Sequence, residues 1–313
     1  MLLISISEAS DFKNWDSHSG KGAFAFLSTF QGARSQALSG ATGSAQNPDL
    51  FNHLVNPAAM ERTGTKHQIG LAYETGSIGA NLGLLTYQTP YRKYNLQTTV
   101  AWRSYGSIDG TDTEGDLTGK TYEPFSQAFM LSTSFPMSYL SFGATLKLIR
   151  DHLSDDSQYK DQDAIGTGLD WGFVWRSPYP LFGFGFSVLD LGKQWTAYTE
   201  SGLNHQALNT RLRASGHYRP ALFRGMTVSL DAVIPRYSQP TLNVGIEYIP
   251  KPWIHIRFGM ERPMADLRGD GSQLPFASAG LGFMWKQHTL DYAVQILQNG
   301  LGQKHWIGLR TGF

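Results

Sequence analysis

The stretch Leu140-Ser-Phe-Gly-Ala-Thr-Leu-Lys-Leu-Ile-Arg150 puts Leu140, Phe142, Ala144, Leu146 and Leu148 on one face of an extended chain. Ser141, Gly143, Thr145 and Lys147 fall on the other. The same period of two returns further on. Ile254, Ile256, Phe258 and Met260 oppose His255, Arg257, Gly259 and Glu261. Leu290, Tyr292, Val294 and Ile296 oppose Asp291, Ala293 and Gln295, and Phe182, Phe184, Phe186 and Val188 oppose Gly183, Gly185 and Ser187. One face is apolar throughout; the other is small or polar.

Working outward, about fourteen such segments run from Lys66 to the end. They lie near 66–74, 78–88, 95–105, 127–136, 139–150, 166–176, 181–189, 209–219, 225–233, 241–250, 253–262, 277–286, 288–297 and 304–313. An even number of roughly ten-residue alternating segments is the pattern of a bacterial transmembrane barrel. The connections sort by parity. Turns at 89–94, 137–138, 177–180, 220–224, 251–252 and Gln287 are short, whereas 106–126, 151–165, 190–208 and 263–276 are long; only the first surface-side hairpin, 75–77, is short. A soluble sandwich has no reason to sort its loops in this way. The reading is all-β: a transmembrane antiparallel β-barrel of about fourteen strands in a bacterial outer membrane, with termini and short turns on the periplasmic side.

Composition agrees. Of 313 residues only 16% are charged and 41% are hydrophobic, yet mean hydropathy is −0.27. No apolar run approaches the ~20 residues of a helical span, and closed barrels are the other way to satisfy backbone groups in lipid. A net charge of +1 gives nucleic-acid binding no support. Cysteine is absent, which excludes disulfides, thiol catalysis and Cys-ligated zinc. Met1–Ser10 carries a short apolar stub without the basic start of a secretory signal.

An arginine on the lipid face near the midplane costs about 2–4 kcal/mol. Arg211 and Arg213 share a face, so that face is the lumen. The same rule turns Lys147, Asp170, Asp231, Glu247, Arg257 and Asp291 inward. Their mixed signs predict a paired network, because buried charges persist only when paired or hydrated. Trp171, Trp175, Trp253, Trp285 and Trp306 suit interfacial girdles, or else a sugar-binding platform.

The chain divides into a leader (1–23), a non-alternating segment (24–64) and the barrel (65–313). The middle segment contains apolar Phe24–Leu27, small residues from Gly32 to Gly40, and Asn47-Pro48 and Asn56-Pro57 as turn or helix-start signals. It fits either a plug inside the barrel or a periplasmic leader at its rim.

Chemistry is sparse. The nine histidines form no zinc-helix pair, and no nucleophile elbow or P-loop occurs. Gly183-Phe-Gly185 lies inside a strand, where its glycines make room in the lumen. Asp109, Asp112, Glu114 and Asp116 lack EF-hand spacing and read as a solvated loop. Asp151, Asp155, Asp156, Asp161 and Asp163 form a hydrated acidic loop, or a contact for a basic partner or for lipopolysaccharide-bridging cations. No enzyme and no cofactor is indicated.

The order Phe26-Leu27, Gly32-Ala33-Arg34, Ala37-Leu38-Ser39-Gly40 and Asn56-Pro57-Ala58 resembles the opening of the PorV/PorQ family. Gly115-Asp-Leu-Thr118-Gly119-Lys-Thr-Tyr122, Gly143 with Lys147-Leu-Ile149, and Asp170-Trp-Gly172 are similar to its later motifs. The resemblance spans about 24–176 and is nearer the length of PorQ. Ser39 stands where a glycine is usual, and the signal peptide is reduced or missing. The resemblance implies a FadL-like barrel with 24–64 as an N-terminal hatch, acting in type IX secretion as an anchor for surface-attachment or secretion proteins. Loops 106–126, 151–165 and 190–208 would then dock the partner. The alternative is a FadL-like transporter of fatty acids or other hydrophobic compounds, which requires an apolar pocket near Phe24–Leu27. Finally, His305–Phe313 resembles the terminal signal read by barrel-assembly machinery, with Gly308 and Phe313 as its marks and Thr311 where an aromatic is commoner.

Overall fold

A computed structural model of the protein describes residues 21–44, 47, 49–60, 67–76, 79–112, 114–153, 163–179, 181–196, 206–264, 276–297 and 302–313. Its strands are β1 (Gln68–Thr75), β2 (Asn81–Tyr91), β3 (Tyr94–Ser104), β4 (Ile108–Thr111), β5 (Leu117–Tyr122), β6 (Phe125–Pro136), β7 (Leu140–His152) and β8 (Asp163–Arg176). There follow β9 (Phe182–Thr196), β10 (Arg211–Tyr218), β11 (Met226–Pro235), β12 (Thr241–Lys251), β13 (Ile254–Pro263), β14 (Phe276–Trp285), β15 (His288–Ile296) and β16 (Gln303–Gly312). All but β4 and β5 form one antiparallel sheet that closes where β16 meets β1, with Gln68 opposite Gly312 and Thr75 opposite His305. This is a closed barrel of fourteen strands among the described residues.

Each segment read from alternation is one of these strands, since period two fixes which side chains face in. Leu71, Leu85, Val100, Phe129, Leu146, Phe184, Leu230, Phe258, Leu281 and Leu309 stand exposed around the outside. An apolar belt of this extent on a closed barrel is the surface that lipid covers. No described helix is long and apolar enough to cross a membrane; the strands do so.

Three features depart from the sequence reading. The 106–126 connection carries its own hairpin, β4 with β5, which alternation could not reveal because almost all of it, Gly110 apart, is exposed. Trp306 is no girdle residue: it is buried in the lumen with Ala33, Ala37 and Ala293, because its register position opposite Glu74 and Ala293 turns it inward. β9 carries a bulge against β8, with register shifts at Ile165/Gly166 and Leu169/Trp171 and with Asp190 at φ 59°. Much of the predicted docking surface (154–162, 197–205) and of loop 263–276 lies outside the described residues, as do Asp155, Asp156 and Asp161.

The described residues between 21 and 60 run through the lumen from the loop side to the turn side. The backbone N–H of Ala23 donates to Ala207 at 3.1 Å, and Gly22 lies against Asn209 and Tyr237. A periplasmic leader would leave this end at the opposite mouth. The leader expected before residue 21 lies outside the described residues. Phe24, Phe26 and Phe30 then stack edge to face at 6.1 and 5.5 Å and join Leu27, Leu84, Met130, Ile149 and Leu208 in an apolar core. A single α-helical turn, Ala33–Ala37, packs on β13 to β16. A 3-10 turn, Pro57–Ala59, packs on β6, β7 and β8. The chain leaves at His67, whose backbone exchanges hydrogen bonds with Phe313 at 3.1 and 2.9 Å.

Candidate functional site

The plug meets the wall where wall residues are small. A Cβ on Gly143 would collide with the backbone of Pro57 and Ala58, and one on Gly259 with that of Leu38 and Ser39. Gly32 abuts Phe51, and Gly308 faces Ala33, so a glycine at 308 also makes room for the plug. Ser39 has φ 49° and Gly40 φ 80°, a left-handed pair that ends the helical turn. Ser39 is therefore held in a backbone conformation that favours glycine. Asn243 donates to the Ser39 carbonyl at 2.8 Å, and the Ser39 hydroxyl meets Ser278 at 3.2 Å. Asn56 accepts from Ala58 N–H at 3.0 Å, fixing Pro57 at the first position of its turn, and donates to Gly43 O at 2.8 Å.

The lumen charges form three groups. Nearest the loop side, Lys147 pairs with Asp170 at 2.8 Å and Asp190 at 2.5 Å, and Arg211 also pairs with Asp190. Centrally, Arg213 pairs with Asp231 at 2.9 Å; the same carboxylate accepts from Gly43 N–H, and Arg213 donates to Gly40 O at 2.7 Å. Toward the turn side, Glu247 accepts from Arg257 at 2.7 Å and from Arg34 at 2.9 and 3.1 Å, while Arg257 also binds Asp291. Arg34 thus ties the plug to the wall. The structure adds a fourth group that the sequence reading missed, in which Glu74 is held by Lys304 at 2.9 Å and Arg103 at 3.4 Å. The period-two rule applied to β1 and β3 would have found it. Asp190 gave no such signal, because it sits on the bulge and not on a regular strand position.

Around Phe24, Ala25 and Leu27 the described residues enclose no space for a water-sized group. Space lies at the other end. A vestibule of about 620 Å³ opens among the turns after β8, β10 and β12. Arg34, Asp49 and Phe51 of the plug line its depth, and Arg219, Phe223, Met226, Ile249 and Met284 its sides. No group of His, Asp or Glu suited to hold a metal ion occurs among the described residues. Asp112 instead caps its own turn, accepting from the backbone N–H of Glu114 and Asp116 at 2.9 Å.

No family model matches the sequence, and no curated protein matches it. Solved structures do match in fold. The Pseudomonas putida toluene transporter TodX superposes with a TM-score of 0.61 at 13% identity, over 90% of this chain and 96% of that one. The Ralstonia pickettii toluene transporter TbuX gives 0.59 at 12%, over 90% and 97%. A Pseudomonas aeruginosa FadL homologue gives 0.53 at 14%, over 90% and 95%. The fold is that of FadL-type outer-membrane barrels. At such identities the likeness speaks for architecture alone. In this FadL-like barrel the interior is filled by a plug whose polar groups are largely paired to the wall.

Proposed function

We propose that this FadL-like barrel is a non-enzymatic anchor of the PorV/PorQ type, holding a surface-attachment or secretion protein of the type IX system at the outer membrane. The observation that carries this reading is the seating of the plug. Arg34 is bidentate to Glu247, Gly43 and Gly40 bind the Asp231–Arg213 pair, and glycines at 143 and 259 admit plug backbone. An interior fixed in this way suits a scaffold whose recognition is done by loop-side surfaces. The sequence motifs from Phe26 to Asp170 support the same reading. The acidic loop beginning at Asp151 adds a place for contact with lipopolysaccharide through divalent cations. Affinity isolation from detergent-solubilised outer membranes tests the anchor: a large surface protein should co-purify in fixed ratio, and recovery of the barrel alone would sink it.

The fold comparisons favour a second reading, transport of a small hydrophobic compound, because the similar structures are named as toluene transporters and a monoaromatic hydrocarbon channel. That reading needs the plug to shift, since the apolar core around Phe26 is filled. Uptake of labelled toluene or a fatty acid, lost when the gene is deleted and restored with it, would support transport over the anchor.

A further inference from the structure

The turn-side vestibule holds a cation with no carboxylate paired directly to it among the described residues. Arg219 follows β10 and is partly buried, and its Nη2 donates to the side-chain oxygen of Asn47 at 2.6 Å. Its Nε has no hydrogen-bond partner, and its nearest tie to a carboxylate among the described residues runs through Asn47, which donates to Glu247. Burial pushes its pKa down; Glu247 opposes that and Arg34 adds to it. Deeper in the same cavity, Nη1 of Arg34 is buried without a hydrogen bond, with Asp49 only at 3.9 Å. Six cations, Arg34, Arg219, Arg224, Lys251, Arg257 and Arg310, stand against three carboxylates: Glu247, which pairs with Arg34 and Arg257, and the lining Asp49 and Asp291. A guanidinium nitrogen withdrawn from water without an acceptor is costly, and Nε of Arg219 and Nη1 of Arg34 are two such groups in one cation-rich cavity, so the geometry calls for an anion from outside.

The rest of the lining is apolar, with Phe51, Leu181, Phe223, Met226 and Ile249 on its walls. The apolar surface also continues out of the cavity onto the turn tips: Leu222 is 92% exposed, Tyr179 74% and Phe223 62%. A ligand confined to about 620 Å³ would leave those tips uncovered, whereas a polypeptide covers pocket and rim together. We propose that the vestibule docks an acidic, partly apolar segment of a periplasmic polypeptide, one carboxylate of which seats on Arg219 and Nη1 of Arg34. Charge complementarity selects the segment, and Phe223 and Leu222 take its apolar residues. This site lies at the end of the barrel opposite the loop-side docking proposed above, so either can fail without the other.

The test uses the full chain in detergent and a fluorescent peptide alternating aspartate with leucine, beside the same peptide with asparagine. The acidic peptide should bind, and the asparagine peptide should bind about tenfold or more weakly. Arg219→Ala should weaken the acidic peptide about tenfold to a hundredfold, and Arg219→Lys should recover part of the loss. Heat-shifted gel migration shows whether each variant is folded. Should Arg219→Ala not fold, Arg224→Glu with Lys251→Glu, both exposed at the rim, serves the same purpose and should also weaken binding. Equal binding of the two peptides, or indifference to these substitutions, overturns the proposal. So does palmitate that displaces the peptide while itself depending on Arg219, which would make the vestibule an amphiphile site. In cells, a photo-crosslinking residue at Leu222 should join to polypeptide in an Arg219-dependent way; crosslinks to lipid alone overturn the proposal.

Discussion

Glu247 takes hydrogen bonds from the guanidinium groups of Arg34 and Arg257, with His255 at 3.6 Å. Removing one partner of a buried ion pair costs about 3–5 kcal/mol, because the other is left buried and uncompensated. Glu247→Ala should therefore destabilise the barrel by about that amount and lower the temperature at which its heat-resistant gel band is lost, while Glu247→Asp should lower it less. His53 gives a different dependence. It belongs to the plug and not to a spanning strand, is fully buried, and presents Nδ1 to Leu50 O at 3.1 Å and Nε2 to Thr99 Oγ1 at 3.0 Å. Burial lowers its pKa to about 3. The unfolded chain, with a histidine pKa near 6.5, then binds more protons below that value. Its contribution is complete above about pH 6.5 and shrinks as pH falls toward about 3, by roughly 1.4 kcal/mol per pH unit. Acid titration of urea unfolding should show that slope in the wild type and a smaller one in His53→Gln.

Among the elements, the fourteen strands were legible because alternation, a cost for arginine in lipid and loop parity all depend on local sequence. Burial of one face and exposure of the other enforces a period of two that the residues must display. The β4–β5 hairpin escaped because almost all of it is exposed and so carries no such constraint. Trp306 escaped because an indole at a strand end fits lipid interface and lumen equally in sequence, and only register distinguishes them. The interior charges were legible as a set. Their partners were not, since Lys147 meets Asp190 across a bulge and Arg34 meets Glu247 across most of the chain. The plug's seat gives an element-scale prediction. Gly143→Val would drive a side chain into the Pro57–Ala58 backbone, so protease should cut the plug in this variant under conditions where the wild type resists. Gly76→Ala, at a position where an added Cβ would meet nothing closer than 3.6 Å, should leave protease resistance nearly unchanged and serves as the mutational control.

At the level of the whole molecule, a plug bound to the wall through its length predicts electrical silence. Purified barrel in a planar bilayer should show no steady conductance, and Gly143→Val or Glu247→Ala should introduce openings. Steady wild-type conductance would contradict a filled lumen and strengthen the transport reading. The path of the plug has a further consequence, for assembly. The chain enters the described structure beside Asn209 and Tyr237 at the loop-side mouth, and leaves at His67 beside Phe313. A strand seam that closed first would leave a ring through which this segment had to be threaded lengthwise. Wrapping is the simpler order: the wall grows around a segment already lying across the bilayer, and the zipping of β16 onto β1 is the event that encloses it.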